Sequence, residues 1–204
     1  MAFTIACYKS TLNKQPSRSF KLWLCCVALL VAALLATNVA HADNFRIQRL
    51  ETTQVDNVYF VSAKINYSLS TAAKEALNNG IPLLILQDIE VLTPRWWWWD
   101  SKIASLEQGY LLIYHALSES YIIHNLNSGT QDNFISLSRA MDALGVLKSL
   151  PLLDAKLLDK NTDYYIRMRT YLDIESLPAP MQPIAYVSSD WQLESDWYEW
   201  PLQK

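Results

Sequence analysis

The chain has 204 residues, 51% of them hydrophobic, with 17 basic and 20 acidic side chains. The first 42 residues carry four of the basic side chains and no acidic one, so the remainder holds 13 against 20, a formal charge of −7. That balance repels phosphate and excludes nucleic-acid binding; all three cysteines (Cys7, Cys25, Cys26) also fall in the first 42 residues, which leaves the rest without disulfide, thiol nucleophile or cysteine metal ligand.

The first element is a leader. Lys9, Lys14, Arg18 and Lys21 precede the apolar run LWLCCVALLVAALL, and Ala40-His41-Ala42 is a small-x-small site before Asp43. This is the three-part pattern of a secretory signal peptide. The run is shorter than the ~20 residues a spanning helix needs, although an uncleaved anchor is the alternative. There is no twin-arginine pair, so general secretion is the expected route. Residues 1–42 are therefore expected to be removed. Residues 43–204 are expected to form a single secreted domain with no stable membrane insertion after cleavage. A chain of that size can bury ~70% of its unfolded surface without disulfides.

Period-two alternation dominates the chain beyond the leader. Residues 45–55 read as a first, weaker strand. Asp56-Asn57 is a turn. In VYFVSAKINYSL, Tyr59, Val61, Ala63, Ile65, Tyr67 and Leu69 share one face. Ser70 can cap a helix over TAAKEALNN, closed by Gly80. IPLLILQDIEVLT is apolar on both faces in its first half, which predicts a central strand. PRWWWWD comes next, from Pro94 to Asp100, with four of the chain's eight tryptophans in succession.

GYLLIYHALSESYIIHNL predicts a hairpin turning near Ser118 to Ser120, and NSGT predicts the next turn. In SLSRAMDALGVL the period becomes helical, with Ser136 as cap. PLLDAKLL is expected to add a short second helical turn. YYIRMRTYLDI returns to strand. Pro178, Pro180 and Pro183 bend the chain, and IAYVSSDWQL is expected to be the last strand. The expected fold is α+β: mainly antiparallel β, about seven strands, with two short helices inserted at crossovers. A sandwich is one arrangement that fits.

Several stretches occur together in order: NYSLS with AAKEALNNGIPL, then TPRWWWWD, then YLLIYHAL, then SSDWQLESDWY. Together they resemble an uncharacterised family of bacterial secreted proteins, domain of unknown function 4390, over essentially the whole mature chain. The resemblance implies a Gram-negative envelope protein made with a signal peptide. It also implies a partnership with a neighbouring membrane sensor kinase of the nitrogen-regulation type. It supplies no catalytic residues. Arg95, Asp100, His115, Asp190, Trp191, Asp196 and Trp197 match the family's pattern without an assigned role.

Three constellations are candidates for function. His115 and His124 would face each other if the hairpin loop were centred between Glu119 and Ser120. Two imidazoles there could hold Zn²⁺ or Cu²⁺, but no third ligand can be named, and neither a metal site nor a cofactor is expected. In SSDWQLESDWY, an uninterrupted strand would put Trp191 and Trp197 on one face and Asp190 and Asp196 on the other. Arg167 and Arg169 could then pair with those carboxylates, as a structural link or beside a sugar or cationic ligand. In PRWWWWD, an extended chain would oppose Trp96 and Trp98 to Trp97 and Trp99, one pair in the core and the other covered by the chain's own helix, a neighbouring tryptophan or a partner.

No nucleophile–base motif, phosphate-binding glycine loop or defined carboxylate cleft is present. The expected function is a non-catalytic periplasmic binding domain using its aromatic-rich end, Arg95 to Asp100 together with Asp190, Trp191, Asp196 and Trp197. Its expected partner is another envelope protein, with the extracytoplasmic part of a sensor kinase suggested by the resemblance. A small-molecule or glycan binder using tryptophan stacking is the alternative, and an envelope hydrolase stands third.

Overall fold

The computed structural model describes residues 45–95, 100–159 and 161–202. The chain divides into Met1–Ala42, which lies outside the described residues, and Asp43–Lys204, which forms a compact unit of its own. Among the described residues, no helix is long and apolar enough to cross a membrane.

Among the described residues, nine strands form two antiparallel sheets. The smaller has the order β1 (Phe45–Val55), β2 (Val58–Tyr67), β7 (Val146–Asp154). The larger is ordered β6 (Gln131–Phe134), β5 (Ser120–Asn125), β4 (Ser101–His115), β3 (Leu83–Thr93), β8 (Tyr165–Leu172), β9 (Tyr198–Pro201). One apolar core takes the alternate residues of both, for example Val61 and Ile65 from β2 with Ile85 and Ile89 from β3. Within the smaller sheet, Phe45 meets its register partner Tyr67 edge-to-face at 4.8 Å. A polar bridge joins the two sheets. The buried Tyr67 hydroxyl accepts from Gln87 Nε2 at 2.8 Å and lies 3.1 Å from Thr170 Oγ1. Thr170 Oγ1 donates to the Leu86 carbonyl, so Tyr67 is the donor to Thr170. Burial pushes the Tyr67 phenol pKa up.

Local chemistry explains the elements. Asp56 and Asn57 both take positive φ, the requirement of a tight two-residue hairpin. Helix α1 (Thr71–Asn78) is capped by Ser70 Oγ, which accepts from Ala73 N, and Gly80 beyond it has φ +85°. Helix α2 (Leu137–Leu144) is capped by Ser136 in the same way. The glycine after α2 is required by space rather than by φ. Gly145 O accepts from Ile65 N at 2.8 Å, and a Cβ at Gly145 would sit 2.2 Å from Ile65 O.

Mainly antiparallel β with short helices is the observed class, with corrections in detail. PLLDAKLL is not helical in its first half, where Pro151 to Asp154 finish β7; the short turn expected there is confined to its second half, the 3-10 turn Ala155–Leu157. Among the described residues β7 is an edge strand, one of the positions in a sheet where proline is tolerated. β6 was not anticipated. IAYVSSDWQL is not a strand either. It starts as helix α3 (Gln182–Val187), with Pro183 in the first turn, where its fixed φ suits a helix. Ile184 and Tyr186, whose alternation suggested a strand, are exposed, while Ala185 is buried. The last strand is β9.

Candidate functional site

The larger sheet has a polar outer face, built by register. β3 and β8 oppose Leu86 to Tyr171, Asp88 to Arg169, Glu90 to Arg167 and Leu92 to Tyr165. Same-face partners across antiparallel strands have Cβ atoms ~5 Å apart, so each acid meets a base. Arg169 Nε and Nη2 bond Asp88 Oδ2 at 3.0 and 2.9 Å. Arg167 Nε bonds Glu90 Oε2 at 2.8 Å, and Lys102 on β4 reaches Glu90 Oε1. Glu90 is only 9% exposed. Burial alone would raise its pKa, but the hydrogen bonds and charges of Lys102 and Arg167 overcome this and hold it below the usual value. A carboxyl held ionised in this way is poorly suited to act as a general acid.

β9 completes the ladder. Its register with β8 sets Tyr198 opposite Met168, and Trp197, just before the strand, lies beside Arg167 and Arg169. The guanidinium carbons of Arg167 and Arg169 lie 4.4 and 4.8 Å from the indole centre, and that of Arg169 also lies 4.9 Å from the Tyr171 ring. The indole is held by two cations that are themselves held by carboxylates.

At one end of this face, Thr93 and Ser101 are register partners, so Pro94 to Asp100 joins two paired strand ends. Asp100 ties the connection down: its Oδ1 accepts from Arg95 N at 3.1 Å, and its Oδ2 accepts from the Tyr165 hydroxyl. The Tyr165 and Arg95 hydrogen bonds lower the Asp100 pKa. Tyr165 is pushed up to about 12, by desolvation first and then by that carboxylate. Trp96, Trp97, Trp98 and Trp99 lie outside the described residues, and with them the expected opposition of alternate pairs. Next to the connection, the β3–β4 register shifts between Val91 and Leu92, leaving Ile103 without a partner and 42% exposed. β5 pairs only with Tyr110 to His115 of β4. Ser101 to Leu106 therefore has β3 on one side and, among the described residues, no strand on the other.

The other candidates are dispersed. Arg167 and Arg169 do not pair with Asp190 and Asp196, because the β3 carboxylates directly oppose them; Asp190 and Asp196 are exposed. Trp191 and Trp197 do not share a strand face. Trp191 is a core residue at 6% exposure in a turn after α3, and Trp197 is half-buried on the outer face. The histidines do not face each other either. The loop is Ala116 to Glu119, so His115 opposes Ser120 and His124 opposes Leu111. Glu119 takes φ +48°, which centres the turn two residues earlier than expected. His115 Nδ1 instead lies 2.8 Å from Ser118 Oγ. Among the described residues, no group of three potential ligands could hold a metal.

The family model described as domain of unknown function (DUF4390) matches residues 42–201, which span every element from β1 to β9. The chain belongs to the DUF4390 family. No curated protein and no solved structure matches it. The ladder was legible as parts, Asp88 and Glu90 two apart and Arg167 and Arg169 two apart. Pairing those parts required the register of this DUF4390 domain, which no local motif encodes.

Proposed function

We propose that this DUF4390 domain is a non-catalytic binding module of the cell envelope, delivered to the periplasm by its leader. It recognises another envelope protein through the β3–β4 hairpin end and the adjoining outer face of the larger sheet. The observation that carries the reading is that one sheet presents, at its hairpin end, an unpaired strand segment (Ser101 to Leu106) with exposed Ile103 and, on the other side of β3, a fixed aromatic–arginine ladder. An open strand edge offers backbone hydrogen bonds to a partner, and anchored aromatics concentrate binding energy. The carboxylates and bases of the ladder neutralise one another, which suits complementarity rather than proton transfer. The extracytoplasmic region of a sensor kinase is the partner that the family resemblance suggests.

Affinity capture from envelope extract tests this with two variants, Ile103→Asp at the hairpin end and Lys64→Asp on the exposed side of the smaller sheet. The expected result is a protein captured by wild type and Lys64→Asp and lost with Ile103→Asp. Equal capture by all three would overturn the assignment of this surface.

A second reading has its own observation. A cleft of about 320 Å³ is lined by Arg46, Asp196 and Trp197 among others. An indole beside a carboxylate and a guanidinium is suitable chemistry for a sugar-sized polyol. Titration with monosaccharides, followed by amide shifts at Trp197, would separate this reading from the first.

A further inference from the structure

A larger cleft lies at the other end of β8. It measures about 470 Å³ and is walled by Tyr171, Asp173, Glu175, Tyr186, Trp191 and Glu194 among others. Among the described residues that line it, three are acidic and none is basic. The volume falls within the range of small-ligand sites. Its frame is tied by side chains: Gln182 Nε2 donates to the carbonyls of Glu175 and Leu177, and Gln192 Nε2 to that of Tyr186. Trp191 packs into the core. Beside the cleft, α3 leaves Ile184 and Val187 exposed.

The charge in the cleft is not neutralised by the ladder. Arg169, which stacks on Tyr171, is bonded to Asp88. Asp173 Oδ1 accepts from Glu175 N, and Glu175 Oε1 is 3.4 Å from the Tyr186 hydroxyl. Desolvation first, and nearby carboxylates after it, raise the pKa values of Tyr171 and Tyr186. The cleft therefore combines aromatic rings, apolar walls and net negative potential. An alkylammonium or guanidinium side chain meets all three, its stem on the apolar wall, its head over a ring and near a carboxylate.

We propose that this cleft and the exposed side of α3 dock a basic, amphipathic segment of a protein partner, with a lysine or arginine side chain in the cleft and apolar neighbours on Ile184 and Val187. This rests on the protein-binding reading and gives the partner's chemistry.

The probe is a fluorescent octapeptide of alternating lysine and leucine, titrated by anisotropy with protein recovered from cells expressing the full chain. Binding is expected, and an alternating glutamate–leucine octapeptide should not bind. Exposed ion pairs contribute modestly, so Glu175→Gln with Glu194→Gln should weaken binding about five- to tenfold. Glu51→Gln, on the other sheet and paired with Arg49, should leave it unchanged. Should the double variant lose its fold, Tyr186→Ser at an exposed position carries the same test. Raising salt from about 0.1 M to about 1 M shortens screening from roughly 10 Å to roughly 3 Å and should weaken binding. Absence of binding, equal binding of octalysine, or an equal loss with Glu51→Gln would overturn the proposal. If peptide binding fails while Ile103→Asp still abolishes partner capture, this inference falls and the envelope-binding reading stands. Peptide binding without Ile103-dependent capture has the opposite meaning.

Discussion

Glu90→Gln removes one charge from the centre of the outer face with almost no change in volume. The wild-type carboxylate is 9% exposed and touches two cations, Lys102 Nζ and the Arg167 guanidinium. Breaking a fully buried ion pair from one side costs ~3–5 kcal/mol, because the remaining charge is stranded. Here water recovers part of that cost, since the Lys102 and Arg167 side chains are 51% and 30% exposed. The expected loss is about 2 kcal/mol near neutral pH, or roughly 4–8 °C in Tm for a domain of this size. The sign with pH comes from the lowered native pKa of Glu90. Its contribution is fully present above the unfolded carboxyl value, ~4.3, and is lost as pH falls through the native value. The stability gap between wild type and Glu90→Gln should therefore be constant from neutral pH down to about pH 5 and close in stronger acid. Urea denaturation of both proteins across that range is the assay. A gap below about 0.5 kcal/mol at neutral pH, the scale of ordinary surface substitutions, would refute the idea that the ladder is a coupled unit. So would a gap that persists undiminished in strong acid.

Gly145→Ala should destabilise by about 1–3 kcal/mol in the same assay, since its Cβ would lie 2.2 Å from Ile65 O and the α2–β2 contact must open. Tyr165→Phe removes the donor to Asp100, so hydrogen exchange at the Arg95 amide should accelerate, whereas an unchanged rate would mean that Asp100 holds the connection without it. Metal analysis of untagged protein should give the same substoichiometric Zn and Cu for wild type and His115→Ala, whose ring is 2.8 Å from Ser118 Oγ rather than opposite His124. Intact-mass measurement of fractionated cells should find a chain beginning at Asp43 in the periplasm; a full-length species in the inner membrane would contradict the leader reading.

Much of the fold was legible where one physical signal acted alone. Alternation marked β1, β2 and β8, two-sided apolarity marked β3 as central, and serine hydroxyls marked the starts of α1 and α2. Sequence reasoning failed where tertiary context overrode a local rule. PLLDAKLL was expected to be a helical turn throughout, yet β7 runs through Pro151 to Asp154 before the turn starts. Ile184 and Tyr186 alternate, yet both face outward from a short helix. The hairpin loop has four residues, and its two-residue shift from the expected centre separated the histidines. For the candidate site, the residue types were visible and their partners were not. Arg167 and Arg169 had acids available at Asp190 and Asp196 and at Asp88 and Glu90. Strand order chose the second set.

The central claim is that a protein partner sits on the β3–β4 hairpin end. A photoreactive amino acid placed at Ile103, and separately at Lys64, in cells expressing the full chain tests it without extraction. The account predicts a discrete crosslinked species from Ile103, containing a second envelope protein, and none from Lys64. No crosslink from Ile103, or the same products from both positions, would contradict it.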